Sequence, residues 1–246
     1  MTRLCIETRG ICNWRERLAK PDSQWRRGFS AFETAVAWEK PSCHDAGLPE
    51  PIAELFRGSI FGEAKLLLAI AEHKVPLDGR RADSQCDVWA LLHTASGGVS
   101  LSVEAKANEP FGEGNESLKD WLVAGKSERS RGNREDRWKH ISAHLPSAAK
   151  EAYLAVPYQL LHRCAAAVIE ARRFGLPNAA FVVQSFAPPS FGGLSENFEA
   201  FSRFCQAVNL KADRGRMQIA TVGEIRLGIG WADFRFATDA EVAAVA

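Results

Sequence analysis

Four residues in the middle of the chain have the types and the spacing of a hydrolytic site. Asp87 is followed about seventeen residues later by Glu104-Ala105-Lys106. Two carboxylates and the carbonyl of Ala105 would form an incomplete cage of oxygen atoms. Such a cage suits Mg²⁺, which takes one or two carboxylates and keeps several waters. Lys106 would then orient the attacking water or neutralise charge that builds on a phosphate.

These residues belong to a predicted β-hairpin. Apolar and polar side chains alternate over residues 99–106, as in a strand with one apolar face. Residues 86–92 form a second apolar run, and residues 94–98 supply a glycine-containing turn. Asp87 stands near the start of the first strand and Glu104 near the end of the second, so the carboxylates can converge at one end of the sheet. Glu104 and Lys106 are two apart and share a face.

The hairpin with its Asp and Glu-x-Lys resembles the PD-(D/E)xK nuclease superfamily. In that superfamily the core runs helix, three strands, helix, strand, with the motif on the second and third strands. "PYQLLHRCAAAVIEARRF" followed by "AAFVVQSF" supplies the later helix and strand. Gln159 resembles the glutamine of a Gln-xxx-Tyr motif, with Arg163 in place of the tyrosine. "VEAKANEPFG" and "YQLLHR" are also similar to an uncharacterised bacterial family placed near these nucleases.

The resemblance implies an α/β, restriction-endonuclease-like core in which helices flank a mixed central sheet. A single domain over residues 1–246, with an N-terminal helical extension over residues 1–50, is the corresponding organisation. It also implies a Mg²⁺- or Mn²⁺-dependent phosphodiesterase whose partner is nucleic acid, DNA rather than RNA.

The resemblance further implies a role for each residue of the motif. Asp87, Glu104 and the carbonyl of Ala105 would bind the metal, and Lys106 would assist the attack of water. Gln159 would orient the site or the nucleic acid.

A further carboxylate is expected from a helix over residues 60–74. Glu63 shares a face of this helix with apolar residues, and a glutamate from the first helix often joins the metal site in the resembled fold. The helix macrodipole explains a glutamate in the first helical turn equally well. Glu39 and Glu54 are weaker rivals.

Positive charges cluster between residues 119 and 139. Such a run is usually a solvated helix face. It could also contact phosphates, which position a nucleic acid without reading its sequence. Lys126 and Arg129 are the strongest candidates because the resemblance implies similar residues there, and Arg163 is a third.

Simpler interpretations stay open. Asp87 could cap a backbone amide at a strand edge, and Glu104 with Lys106 could be an exposed ion pair that contributes about 0–1 kcal/mol. The near-neutral charge and the absence of tyrosine at position 163 favour a nuclease-like fold that only binds nucleic acid or protein.

His73 fits the end of a helix. His140 and His144 share a helix face without a third zinc ligand.

Composition and pattern define the rest of the expectation. A chain of 246 residues with 46% hydrophobic content can bury a full core, and its net charge of +1 gives no global bias toward nucleic acid or membrane. Six cysteines without metal-ligand spacing, no signal-like start and no membrane-length stretch favour a cytoplasmic protein. The oligomeric state is open, a homo-oligomer included.

Further helices are expected at residues 30–40 (capped by Ser30 with Glu33), 52–57, parts of 118–145, 158–174 and 196–208, with closing strands in 217–236.

Overall fold

The computed structural model describes residues 10–40, 47–77, 83–107, 109–186 and 196–245. Within these residues the helices are α1 (Cys12–Arg17), α2 (Pro21–Gln24), α3 (Ser30–Glu39), α4 (Glu50–Arg57), α5 (Leu118–Val123), α6 (Glu128–Ser142), α7 (Lys150–Tyr153), α8 (Tyr158–Phe174), α9 (Glu196–Ala207) and α10 (Asp239–Ala243). The strands are β1 (Ala64–Val75), β2 (Ser84–Thr94), β3 (Gly97–Lys106), β4 (Asn178–Phe186), β5 (Met217–Val222) and β6 (Ile225–Phe234).

The six strands form one mixed sheet in the order β1-β2-β3-β4-β6-β5. β2 is antiparallel to both β1 and β3, while β4 runs parallel to β3 and to β6. β5 closes the other edge in antiparallel pairing with β6. The carboxyl ends of β1, β3, β4 and β6 therefore lie at one edge of the sheet, together with the start of β2. The α/β class with helices around a mixed sheet is confirmed.

The predicted hairpin is confirmed. β2 and β3 pair from Thr94 with Gly97 to Val88 with Val103, so Asp87 and Glu104 follow the last pair on neighbouring strands. The polar side chains of β3 are buried as fully as its apolar ones, because α8 covers the face that carries them. The strand was predicted to have one polar face, and the structure places that face in the interior.

The helix predicted for residues 60–74 is wrong. Most of this segment forms β1, which pairs with β2 from Ala64 opposite Thr94 to Val75 opposite Ser84. His73 accordingly lies within a strand, with its Nε2 atom 3.7 Å from the carboxylate of Glu170. Pairing along the edge of the sheet has overridden the helical preference of a segment rich in Ala, Leu and Lys.

The connection from β3 to β4 passes through α8, as parallel neighbours require. α8 ends at Gly175, which has the left-handed φ of 64° that glycine adopts at low cost. Because α8 runs back along the sheet, its first turns lie beside the end of β3. The predicted helix at 158–174, the buried strand after it, the helix at 196–208 and the closing strands are all confirmed.

The opposite face of the sheet is covered by α3 and α4, whose buried side chains pack with those of β1, β2 and β3. Ser30 does not cap α3 as predicted, because the helix begins at Ser30 and Phe29 occupies the N-cap position. The Glu33 carboxylate instead accepts hydrogen bonds from the backbone N–H groups of Gly28 and Ala237, both at 2.8 Å. Glu33 therefore ties the N-terminal helices to the segment that follows β6.

Packing at Gly228 on β6 gives a test of this arrangement. A Cβ atom there would overlap the Met217 sulfur and lie 2.8 Å from Cε2 of Phe61. We expect Gly228→Ala to lower the free energy of unfolding by about 1–3 kcal/mol. Gly132→Ala in α6 is the matched control: nothing lies within 4 Å of its added methyl group, and we expect a gain of about 0.5–1 kcal/mol. Urea unfolding measures both, and equal effects of the two substitutions would contradict the packing described.

Candidate active site

A cavity of about 430 Å³ opens at the edge of the sheet where β1 and β3 end and β2 begins. Outside the segment 18–31, its charged and amide side chains come from these strands, from the residues just after β3 and from the first turns of α8: Glu72, Gln85, Asp87, Glu104, Lys106, Glu109, Gln159 and Arg163. Residues from the segment 18–31 form the opposite wall. A second cavity of about 410 Å³ shares none of these residues, and the cations that line it, Lys40 and Arg235, both pair with Glu241.

Glu104 is held between two cations. Lys106 Nζ donates to Glu104 Oε1 at 2.7 Å, and Arg163 Nε donates to Glu104 Oε2 at 2.5 Å. Only 1% of Glu104, 6% of Lys106 and 9% of Arg163 is exposed. The interpretation of Glu104 and Lys106 as an exposed ion pair is therefore wrong. The two side chains are buried, and Arg163 from α8 also binds Glu104.

Burial and ion pairing act against each other in this group. Burial alone would raise the pKa of Glu104, but Lys106 and Arg163 lower it below its usual range. Burial opposes the charged form of Lys106, yet Glu104 and Asp87 raise the pKa of its ammonium. The pKa of Arg163 is raised for the same reason. All three side chains are thus charged at neutral pH.

Asp87 stands beside this group in a different state. Its Oδ2 atom accepts a hydrogen bond from the backbone N–H of Ala105 at 2.6 Å, which links the start of β2 to the end of β3. Burial, followed by the negative charges of Glu104 and Glu72, raises its pKa well above the usual range. Lys106 and Arg163 oppose this shift without cancelling it, so the Asp87 carboxyl is pushed toward its neutral form.

Glu72 adds a third carboxyl group. It lies between the pairs Ala71–Val88 and His73–Cys86, and so opposite Asp87. Its φ of 55° is left-handed, which is uncommon for a residue other than glycine inside a strand. Its Oε2 atom accepts from Gln85 Nε2 at 2.5 Å. Burial raises the pKa of Glu72 to about 7, and the charge of Glu104 adds to the effect.

α8 contributes two side chains from successive turns. Gln159 Oε1 accepts from the backbone N–H of Gly112 at 2.6 Å, which anchors the side chain and leaves its NH₂ group as a donor for the cavity. Arg163 is anchored a second time, because its Nη1 donates to the hydroxyl of Ser84 at 2.9 Å. Ser84 begins β2, so Arg163 connects α8 to two strands.

A protein-family model described as a domain of unknown function, DUF6946, matches residues 7–235. The chain belongs to the DUF6946 family. No curated protein and no solved structure matches it. Membership therefore defines the extent of the family domain, and the chemistry of the cavity has to be argued from the side chains of this DUF6946 protein.

The structure brings together most of the residues predicted from the sequence. Asp87, Glu104, Ala105, Lys106, Gln159 and Arg163 all line the cavity. Glu63 does not: it is exposed and precedes β1 at the end of that strand away from the cavity. The predicted helix, whose face was to carry Glu63, is absent, because residues 64–75 form β1. The prediction that Glu63 joins the metal ligands is therefore corrected. Lys126 and Arg129 are exposed and lie outside the cavity lining.

Sequence reasoning missed Glu72 and Gln85. Glu72 was counted as part of a helix, and its approach to Asp87 depends on the left-handed backbone and on pairing with β2. A strand assignment for residues 64–75 would have placed Glu72 opposite Asp87 across an antiparallel pair.

The donor set of the cavity fits a hard divalent cation. Within the described ranges, no three or more His, Cys, Asp or Glu side chains are arranged to hold a metal ion. Mg²⁺ does not require three protein ligands, because it keeps several waters and is often held by one or two carboxylates. Asp87 retains Oδ1, and each Glu104 oxygen retains a lone pair beyond its hydrogen bond. Asp87 and Glu104 would hold such an ion.

The raised pKa of Glu72 predicts a pH dependence of stability. A raised folded-state pKa stabilises the fold below the unfolded value near 4.5, and this contribution is lost as the pH rises through about 7. Glu72→Gln cannot ionise, so its free energy of unfolding should exceed that of the wild type by about 1–2 kcal/mol more at pH 8 than at pH 4. The expected difference is smaller than the full pKa shift implies, because Glu72 lines an open cavity where solvent screens its charge.

Urea unfolding in metal chelator at several pH values measures this difference. Glu63→Gln is the matched control on the same chain segment and should follow the wild type at every pH, because Glu63 is exposed. Parallel curves for Glu72→Gln and the wild type would mean that the carboxyl group is not destabilised in the folded protein.

Proposed function

We propose that this chain is a metal-dependent phosphodiesterase that cleaves nucleic acid, with DNA rather than RNA as its substrate. The observation that carries the proposal is the meeting of Asp87, Glu104 and Lys106 in one cavity at the carboxyl end of β3. Open α/β sheets bind ligands at this edge.

The order of elements also supports the proposal. α4 precedes the three strands β1, β2 and β3, and α8 with β4 follows them after three further helices. Asp87 lies on the second strand and Glu104 with Lys106 on the third. This matches the order of the restriction-endonuclease-like core that the sequence resemblance implies.

Each side chain has a role that its surroundings favour. Asp87 and Glu104 would hold Mg²⁺ or Mn²⁺, which when bound would lower the pKa of a water and offset charge on the phosphate. Lys106 acts as a cation and not as a base, because its pKa is raised and its proton is retained. Gln159 donates from its NH₂ group to the phosphodiester or the attacking water. Lys126 and Arg129 are proposed to contact phosphates outside the cavity.

One observation favours a second candidate function. Both oxygens of Glu104 already accept hydrogen bonds from cations, so its charge is offset without a metal. A nuclease-like fold that binds nucleic acid or protein without catalysis would keep such an ion cluster for structural reasons. Metal binding separates the two candidates.

Metal binding should stabilise the protein. A ligand that binds only the folded state raises the melting temperature by mass action. We expect Mg²⁺ or Mn²⁺ to raise the melting temperature of the wild type at neutral pH and to have little effect on Asp87→Asn. Asparagine still accepts the hydrogen bond from Ala105, so the variant should be as stable as the wild type in chelator or more so. An Asp87→Asn variant that melts far below the wild type in chelator would assign Asp87 a structural role.

Catalysis should depend on the same residues. Purified protein with Mg²⁺ or Mn²⁺ should cleave linear, nicked or single-stranded DNA, and Lys106→Ala should lower kcat by about 10²–10³-fold. Lys65→Ala is the control for loss of a lysine, because Lys65 is exposed at the far end of β1. If no DNA or RNA is cleaved and the wild type binds no metal, the binding-module alternative stands.

A further inference from the structure

Arg163 is the least expected member of the candidate site. The motif that Gln159 resembles has a tyrosine at this position, so the resemblance supplies no role for an arginine. The guanidinium is bonded to Glu104 through Nε at 2.5 Å and to Ser84 through Nη1 at 2.9 Å. It is 9% exposed, and what remains accessible lines the cavity.

The position of Arg163 affects any cation that approaches Glu104. Lys106 and Arg163 place one positive charge at each oxygen of that carboxylate. A divalent cation must therefore bind close to two fixed positive charges, which opposes its binding. A phosphodiester is attracted by the same charges, and a guanidinium fits phosphate oxygens with paired N–H donors.

We infer that Arg163 serves two anions in turn: it holds Glu104 while the cavity is empty of nucleic acid and binds a phosphate oxygen when nucleic acid enters. Nucleic acid and metal ion then bind cooperatively. The phosphate pairs with the Arg163 guanidinium and offsets the positive charge that otherwise opposes a metal ion at Glu104. By linkage, the metal strengthens nucleic-acid binding by the same factor. This inference rests on the proposed function and makes Arg163 a positioning residue for Glu104 and a phosphate ligand.

Calorimetric titration with Mn²⁺, with and without a short phosphorothioate DNA as single strand and duplex, tests the inference. For the wild type we expect DNA to tighten the Kd for Mn²⁺ at least tenfold. Arg163→Gln removes the competing charge, so it should bind Mn²⁺ more tightly than the wild type without DNA and respond to DNA less than threefold. A purely structural Arg163 would give the opposite, because its loss would weaken Mn²⁺ binding.

Two further variants keep the test decisive. Arg173→Gln is the matched control, since Arg173 pairs with the buried Glu170 on the same helix and lies outside the cavity lining. It should behave as the wild type. If Arg163→Gln does not fold, Ser84→Ala removes the second anchor of Arg163, together with the hydrogen bonds of Ser84 to His162, and leaves the contact of Arg163 with Glu104. It should tighten Mn²⁺ binding without DNA by a smaller factor.

The failures of the two proposals differ. A wild type that binds Mn²⁺ equally with and without DNA, or an Arg163→Gln variant that keeps the wild-type response to DNA, overturns the coupling and leaves the phosphodiesterase proposal intact. A wild type that binds no Mn²⁺ under either condition overturns both.

Discussion

The site depends on one buried ion cluster, in which Glu104 lies between Lys106 and Arg163. Burying a carboxylate costs several kcal/mol unless charge and hydrogen bonds offset it, and removal of one partner from such a cluster typically costs about 3–5 kcal/mol. Two members come from the end of β3 and one from the second turn of α8. The cluster therefore fixes the start of α8 against the end of β3, and with it the position of Gln159. The same geometry leads the chain into β4 in parallel with β3.

Three of the carboxyl groups that line the cavity, those of Glu104, Asp87 and Glu72, are not equivalent, and their neighbours explain why. Glu104 has two cations and a lowered pKa, whereas Asp87 and Glu72 are buried near other acids and have raised pKa values. Without a further cation, Glu104 is thus ionised while Asp87 and Glu72 resist ionisation. A bound metal ion would reverse this preference at Asp87, because it favours the charged form. The left-handed backbone at Glu72 keeps the third carboxyl group beside the other two at the expense of local strain.

Local patterns predicted the parts of this arrangement that depend on local structure. The alternation in β3, the turn after β2, and the helix that ends at Gly175 were all readable from the sequence, and they bring Asp87, Glu104 and Lys106 to one edge. The segment 64–75 was not readable, because its apolar spacing and its Ala, Leu and Lys content suit a helix, and only pairing along β2 makes it a strand. The pairing of Arg163 with Glu104, 59 residues apart, is likewise a property of the tertiary fold.

The N-terminal helices are part of the site and not an appendage to the sheet. Residues of the segment 18–31 form the wall of the cavity opposite α8. Glu33, which is only 2% exposed, binds the backbone at Gly28 and at Ala237 and so anchors that wall to the end of the β6 segment. This wall and the first turns of α8 line the same cavity as Lys106, so the hydrogen bonds of Glu33 and the Glu104 cluster hold its two sides in place.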